Sequence, residues 1–493
     1  MEAHLPVLVV LGPLMAAPLA VMFANARLAW WLAFLVSIAC AWFAVNLLLL
    51  VQDGGAISYE LGQWPAPWGI ELKVDRLNAI VLTLVSAMSA IVLPFAAASV
   101  SDEVAPDRTY LFYTCWMLCL CGLLGITVTG DAFNVFVFLE VSSLSTYVLV
   151  SLSQRREALV AAFRYLIMGT VGATFILIGI GLIYMMTGTL NMADMAERIQ
   201  ATSHLRPVQA GIAFILVGIA VKMALFPVHM WLPGAYTHAP MAVTAFLAAT
   251  ATKVAVYLLV RFTFTIFGAE LIFGTMQVGM PLALLGGAAA LVGSLMALSH
   301  GTDVKRVLAY SSLAQIGYMA VGIGTGMVLA FAGALLHLVN HAIMKSALFM
   351  ALGAARKQGR DDTLDPLAGA GRRMPITMTC FSIAGASLVG IPLTAGFLSK
   401  WYLVVGTFER GWWALAILTI ITSLMAALYM GRILERIWMH EPDAGTPTSE
   451  GSWLMWLPLV VLAVANLYFG IETEFTATVT LEAARELLGG WKP

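Results

Sequence analysis

Runs of about twenty apolar residues, separated by short polar stretches, follow one another from residue 5 to residue 472 of this 493-residue chain. A helix of that length rises about 30 Å, the depth of hydrocarbon in a bilayer. Charged residues make up 11% of the sequence, against about 25% in a soluble domain. No soluble core of this size hides so much apolar surface, so lipid is the solvent for most of the chain. The net charge of −1 gives no footing for a nucleic-acid partner.

Spans are expected near 5–23, 28–51, 77–100, 110–129, 131–152, 161–187, 208–236, 240–266, 280–298, 306–325, 328–354, 375–402, 412–438 and 452–472, about fourteen in all. No polar segment between them is long enough for a second domain, so the chain reads as one all-α polytopic bundle. Within residues 52–76, ISYELGQWPAPWGIELKV alternates around a Pro-rich centre and reads as a hairpin outside the membrane. Residues 190–203 and the tail after 472 read as amphipathic helices at the interface. The start, Met-Glu-Ala-His, lacks the basic stretch of a cleaved signal, so the first span reads as retained.

Lys and Arg set the orientation. With the N-terminus outside, fourteen basic residues fall on inside loops, among them Arg155, Arg156, Lys305, Arg356 and Arg360. Seven fall outside, among them Lys73, Arg76 and Lys492. Both termini are therefore expected outside a bacterial inner membrane. Arg261 sits near a span end, where it can snorkel. Lys222, Lys253, Lys345 and Lys400 fall within spans and cannot all do so.

A charge at a helix centre costs about 2.5–3.5 kcal/mol on insertion scales, so each needs a reason. The plain reason for any single one is an ion pair that locks two helices together. Four lysines and Glu140, on different spans, point instead to a path for protons. Glu140 lies mid-span in DAFNVFVFLE on span 5, and Lys222 in VGIAVKMALFPVHMWLP on span 7. Desolvation favours the neutral amine, whereas a nearby carboxylate favours the ammonium. A Glu and a Lys that pair and separate thus form a proton switch. HLVNHAIMK places His337, His341 and Lys345 at i, i+4 spacing on one face of span 11, which suits a hydrated relay. Zinc binding by the two His is the alternative, but no acidic third ligand is adjacent. Lys253 lies in span 8, in AATATKVAVYLLV.

Pro227 follows Lys222 by five residues, and Gly390-Ile391-Pro392 precedes Lys400 by about two turns. Proline removes a helical hydrogen bond and frees carbonyls, so spans 7 and 12 are expected to be broken. Two broken spans with one buried Lys each, five apart in order, predict inverted five-helix repeats over spans 4–8 (106–270) and 9–13 (275–440). Residues 1–105 would then hold the first three spans, and 450–493 the last span and tail. His229 and His238, flanking WLPGAYT, either line an inside mouth or cap the loop. Cys115, Cys119 and Cys121 in CWMLCLC have no His or carboxylate beside them and read as small core residues rather than a metal or redox site. GIGTG at 322–326 lacks the preceding strand of a phosphate loop.

Taken together, FNVFVFLEV, VKMALFPVHMWLPGAYTHAP, DVKRVLAYSSLAQIGYM, HLVNHAIMKSALF and GIPLTAGFLSKW resemble the antiporter-like subunits. These are the proton-pumping membrane subunits of respiratory complex I, of membrane-bound hydrogenases and of Mrp-type cation/proton antiporters. The resemblance covers roughly residues 60–470. It implies a fourteen-helix fold and roles for Glu140 and Lys222 as switching pair, Lys253, His341 and Lys345 as central relay, and Lys400 as terminal donor. Glu140, where the complex I N-type subunit has Lys, and Lys400, where the M-type has Glu, argue against those branches. Length and the hairpin are similar to the D-type member of Mrp antiporters. The resemblance implies a transporter subunit rather than an enzyme, moving protons and Na+ beside other small and large hydrophobic subunits. The chain carries no cofactor or metal motif of its own. The rival readings are a proton-pumping subunit of a redox complex, and a scaffold whose buried charges only fix helix packing.

Overall fold

The computed structural model describes residues 4–359, 362–442 and 449–491; Arg360 and Lys492 lie outside the described residues. The chain runs α1 (Leu5–Phe23), α2 (Ala26–Gly54), β1 (Ile57–Glu60), β2 (Glu71–Val74), α3 (Arg76–Glu103), α4 (Thr109–Val128), α5 (Ala132–Ser151) and α6 (Arg156–Thr187). Then come α7 (Met192–Thr202), α8 (Arg206–Lys222), α9 (Trp231–His238), α10 (Met241–Ala249), α11 (Ala251–Val260) and a π-helical turn at Arg261–Phe267. It closes with α12 (Gly279–Ser299), α13 (Val304–Thr325), α14 (Val328–Lys357), α15 (Ala370–Arg373), α16 (Pro375–Val389), α17 (Ala395–Glu409), α18 (Trp413–Met439), α19 (Trp453–Ile471) and α20 (Glu474–Leu488).

Among the described residues, twelve helical stretches are long and apolar enough to cross a bilayer. Spans 7 and 12 are interrupted, as their prolines predict. Span 7 becomes α8 and α9 around an unwound segment containing Pro227, and span 12 becomes α16 and α17 around Pro392. The first break starts before its proline, where Ala224 takes a left-handed φ of 59°. Span 8 is also broken, which the apolar pattern does not predict. Thr250, at φ −122° and ψ −60°, separates α10 from α11. Its hydroxyl donates to the Phe246 carbonyl at 2.7 Å, the back-bonding by which a threonine competes with the helix ladder.

Side-chain caps start several helices. Asp75 opens α3 in a reciprocal box with Asn78, Asp131 caps α5, and Asp303 caps α13. The hairpin expected at 52–76 is present, β1 pairing antiparallel with β2 from Ile57↔Val74 to Glu60↔Glu71. The two amphipathic segments are α7 and α20.

With lipid as solvent, apolar burial does little to bring helices together, and close backbone packing does more. Glycines spaced by seven make that approach possible. Gly172 and Gly179 on α6 face Gly218 and Gly211 on α8, and Gly279 and Gly286 on α12 face Gly324 and Gly317 on α13. A Cβ on Gly218 would lie 2.5 Å from the Gly172 carbonyl oxygen, and one on Gly286 2.7 Å from that of Gly317.

Two charges sit where the sequence does not place them. Arg261, expected to snorkel, is 5% exposed. It grips Asp75 through both terminal guanidinium nitrogens at 2.6 and 2.9 Å and donates from Nε to the Tyr257 hydroxyl at 3.0 Å. A carboxylate within reach makes inward pairing better than snorkelling. Lys305, counted with an inside loop, is fully buried in α13 and donates to the Ala239 carbonyl at 2.7 Å.

Gly218→Val forces α6 and α8 apart, and overpacking of this kind costs about 1–3 kcal/mol. The thermal midpoint of the detergent-solubilised protein should fall by several degrees, whereas Gly181→Val, with open space around it, should leave it unchanged. Burial alone would raise the Asp75 carboxyl, but Arg261 and the Asn78 N–H hold it below its ordinary value. That contribution is complete above about pH 4 and is lost as pH falls through the folded value. Asp75→Asn should cost about 3 kcal/mol at pH 7 and leave the midpoint less sensitive to acid between pH 5 and 3.

Candidate functional site

The intramembrane amines cluster around helix breaks. Residue 392 is proline and has no N–H, so the Leu388 carbonyl four residues back loses its helical partner. Leu393 adopts φ 70° and turns the chain away. Lys400, six residues into α17, reaches back to this end. Its Nζ donates to the Leu388 carbonyl at 2.8 Å, the Val389 carbonyl at 3.0 Å and the Ser423 hydroxyl at 2.9 Å. These carbonyls form the negative end of the α16 dipole, which suits an ammonium. The Tyr318 ring lies 5.1 Å from Nζ. The Thr250 break serves Lys253 likewise, its Nζ donating to the Ala248 carbonyl and lying 3.4 Å from the Thr252 hydroxyl.

Lys345, fully buried on α14, donates to the Leu308 carbonyl at 2.7 Å and to the Ser311 hydroxyl on α13. It is within electrostatic reach of Lys253. One and two turns back are His341 and His337, with parallel rings 5.9 Å apart. Both are fully buried, and neither His341 nitrogen has a hydrogen-bond partner among the described residues. His337 bonds Ser399 at 2.9 Å through Nδ1 and Gln315 at 2.8 Å through Nε2. Ser399 adjoins Lys400 in sequence. Tyr318 lies edge-on to His337 and donates to Thr422 at 2.9 Å. The expected stripe of His337, His341 and Lys345 is thus one face of α14, and it leads from Lys253 to Lys400.

Lys222 ends α8 at the first break. Its Nζ donates to the Ser143 hydroxyl at 2.9 Å. Ser143 is one turn from Glu140 on α5, and Glu140 acts on Lys222 electrostatically. Among the described residues the two form no ion pair within 4 Å, so Ser143 stands where the sequence expects a direct contact. One carboxylate oxygen of Glu140 is buried without a partner among the described residues.

Beside Lys222 lies a cavity of about 40 Å³ lined by Ser142, Ser143, Thr146, Tyr165 and one face of α11. Such a volume admits water. Lys253 is on the opposite face of α11, so the polar row is not continuous there. Three tyrosines flank the gap. Tyr147, one turn past Ser143 on α5 and in electrostatic reach of Glu140, has a buried hydroxyl with no partner among the described residues, and its ring meets that of Tyr165 edge-on at 4.7 Å. Tyr165 is in electrostatic reach of Tyr236, whose hydroxyl donates to the Leu247 carbonyl at 3.2 Å, one residue before Ala248, the carbonyl that receives Lys253. Nothing in the sequence marks these tyrosines, or Ser143, Gln315, Ser399 and Ser423, because isolated aromatic, hydroxyl and amide residues are ordinary inside a bundle. Lys305 carries a signal, the Lys in DVKRVLAYSS, that a loop assignment hides.

His229 is buried and stacks on Phe226 with ring centroids 5.5 Å apart. Half-buried His238 ends α9. Burial, with Arg306 and Lys305 nearby, holds His238 below its ordinary value, so it is neutral at pH 7. Beside it, Glu103 accepts the Met241 N–H at 3.0 Å and pairs with Arg356 at 3.0 Å, while Arg155 pairs with Asp362 at 3.0 Å. Among the described residues no group of three His, Cys, Asp or Glu is placed to hold a metal ion.

This fold and this row of amines define an antiporter-type subunit of a membrane complex. The chain belongs to the NADH:quinone oxidoreductase/Mrp antiporter transmembrane family, whose model matches residues 129–426. It is 38% identical over 491 residues to the N-type subunit of NADH-quinone oxidoreductase from Desulforudis audaxviator, covering 96% of this chain and 97% of that protein. It is 31% identical over 447 residues to the D-type member of the Na(+)/H(+) antiporter from Alkalihalophilus pseudofirmus, covering 90% and 89%. A chain in the structure of the Mrp complex from Dietzia sp. DQ12-45-1b superposes with a TM-score of 0.89 at 26% identity, covering 99% and 97%. Both branches match nearly the whole chain, so the comparisons do not bear out the expectation, drawn from Glu140, that the N-type branch is disfavoured.

Pro392→Ala supplies the missing N–H to Leu388 and gains about 3 kcal/mol of helix preference. Hydrogen–deuterium exchange across residues 390–396 should slow at least tenfold. Unchanged exchange would show that the proline does not set the break.

Proposed function

We propose that this chain is the proton-translocating subunit of a multisubunit monovalent-cation (Na+)/proton antiporter in a bacterial inner membrane. The observation that carries the reading is how the buried amines are held. Among the described residues, Lys222, Lys253, Lys305, Lys345 and Lys400 lie more than 4 Å from any carboxylate and rest on hydroxyls and carbonyls. A scaffold needs paired charges, since a carboxylate offsets part of the desolvation of an ammonium. Neutral ligands leave the amine free to lose its proton.

In this reading a proton enters near His238, charges Lys222 under the influence of Glu140, and crosses to Lys253 by water and the Tyr147, Tyr165 and Tyr236 hydroxyls. It continues along Lys345, His341 and His337 to Lys400. The buried nitrogens of His341 and the oxygen of Glu140 favour water at those points, because each unpartnered polar atom costs about 1–3 kcal/mol. The broken pairs α8–α9 and α16–α17 count as one crossing each, giving fourteen crossings, inverted repeats over 106–270 and 275–440, and both termini outside. A potential of 100 mV supplies about 2.3 kcal/mol per charge, enough to shift a protonation equilibrium about fiftyfold. Other hydrophobic subunits complete the complex and the Na+ route, and the chain itself performs no chemical conversion.

The second reading, a proton-pumping subunit of a redox-driven complex, is favoured by the 38% identity to an NADH-quinone oxidoreductase subunit. The row would serve either driving force. Identification of the chains that co-purify with the intact complex separates the two: small hydrophobic antiporter subunits on one reading, quinone- or hydrogenase-module subunits on the other.

Lys222→Ala and Glu140→Ala should each reduce Na+-dependent proton movement in inverted vesicles at least tenfold, with the complex still assembled on native gels. Undiminished transport in Lys222→Ala would remove the proposal.

A further inference from the structure

Behind the relay helix lies a second cavity with no part in the row. It occupies about 270 Å³ between α2, α3, α14, α19 and α20. Its wall is almost wholly apolar. Its four polar side chains, Thr83, Asn340, Thr476 and Thr480, all donate to backbone carbonyls. An occupant therefore meets a wall that is nearly all hydrocarbon and needs no polar group of its own there. Along α3 the cavity runs from Ile80 to Ile91, eleven residues or about 16 Å. That is about half the thickness of the hydrocarbon, one leaflet. A helix 10–12 Å across does not fit such a slot, whereas a single acyl chain does.

At its hairpin end the cavity meets another of about 310 Å³ with charged side chains in its lining, the two sharing Phe475 and Val479. Gln52, Arg76, Glu474, Thr478 and Glu482 line this second part. Arg76 lies 3.6 Å from Glu482 and 3.9 Å from Glu486, loosely held by both. One guanidinium among three carboxylates is a poor seat for an anionic headgroup. It matches a zwitterionic one, with phosphate on Arg76 and a small ammonium among Glu474, Glu482 and Glu486.

We infer that this composite cavity is a binding site for one phosphatidylethanolamine molecule, its headgroup at Arg76 and one acyl chain between α3, α14 and α19. The tail packs on Leu336, Asn340 and Ile343, the face of α14 turned away from His337 and Lys345. The Asn340 amide holds the Ala395 carbonyl at 2.6 Å, where α17 begins after the break. The lipid therefore backs the helix pair that carries the relay.

The test is native mass spectrometry of the full complex, delipidated in detergent and re-exposed to phosphatidylethanolamine or phosphatidylglycerol. The expected result is one phosphatidylethanolamine retained per chain, with phosphatidylglycerol retained at least tenfold less. Ala87→Phe, which fills the slot, and Arg76→Gln should each lower retention at least fivefold. In the unaltered complex, a diazirine-tailed phosphatidylethanolamine should label residues 461–479, so the proposal stays testable if a variant fails to assemble. Four results would overturn it: no lipid retained, equal retention in either Ala87→Phe or Arg76→Gln, equal retention of the anionic lipid, or a photo-crosslinker at residue 87 capturing a partner subunit.

Discussion

A carbonyl set free inside the membrane and an ammonium buried beside it each carry a desolvation cost that the other offsets. In hydrocarbon the backbone must satisfy its own polar groups, and a helix break leaves some unsatisfied. At Pro392 the open carbonyls of Leu388 and Val389 receive Lys400. At Thr250 the carbonyl of Ala248 receives Lys253, and past the end of α9 that of Ala239 receives Lys305. Break and lysine form one device.

Charges away from this row are held differently. Arg261 with Asp75, Arg155 with Asp362 and Arg356 with Glu103 are pairs between opposite charges with hydrogen bonds of 2.6–3.0 Å. Such pairs fix the proton inventory of both partners, because removing either charge strands the other. They tie the hairpin end to the π-helical turn, and the α10 start to the ends of α3 and α14. The inner amines, resting on neutral ligands, can change charge without unlocking a helix. Glu140 stands between the two kinds, close enough to bias Lys222 and separated from it by Ser143.

The family, the bundle and the two proline breaks are legible because each leaves a local mark: apolar runs, a Pro-Leu pair after Gly390-Ile391, and His and Lys at i, i+4 spacing. The break at Thr250 is not. A Thr in an apolar run reads as helix, and only packing decides whether its hydroxyl bends the backbone. The snorkelling expected of Arg261 fails for the same reason, since its partner Asp75 is 186 residues away. Lys305 escapes a linear reading because a residue at a helix start looks like loop until α9 closes over it.

The sequence by itself settled that the chain lives in lipid, which residues are too costly to be there without purpose, and where proline must open the helix ladder. These are matters of transfer energy and missing N–H groups, and both are local. Only the tertiary structure decided which atoms receive each amine, that Ser143 stands between Lys222 and Glu140, and that tyrosines flank the gap at α11. Those depend on the rotation and depth of helices far apart in the chain. The glycine contacts between α6 and α8 and between α12 and α13 set that rotation, at distances no linear pattern encodes.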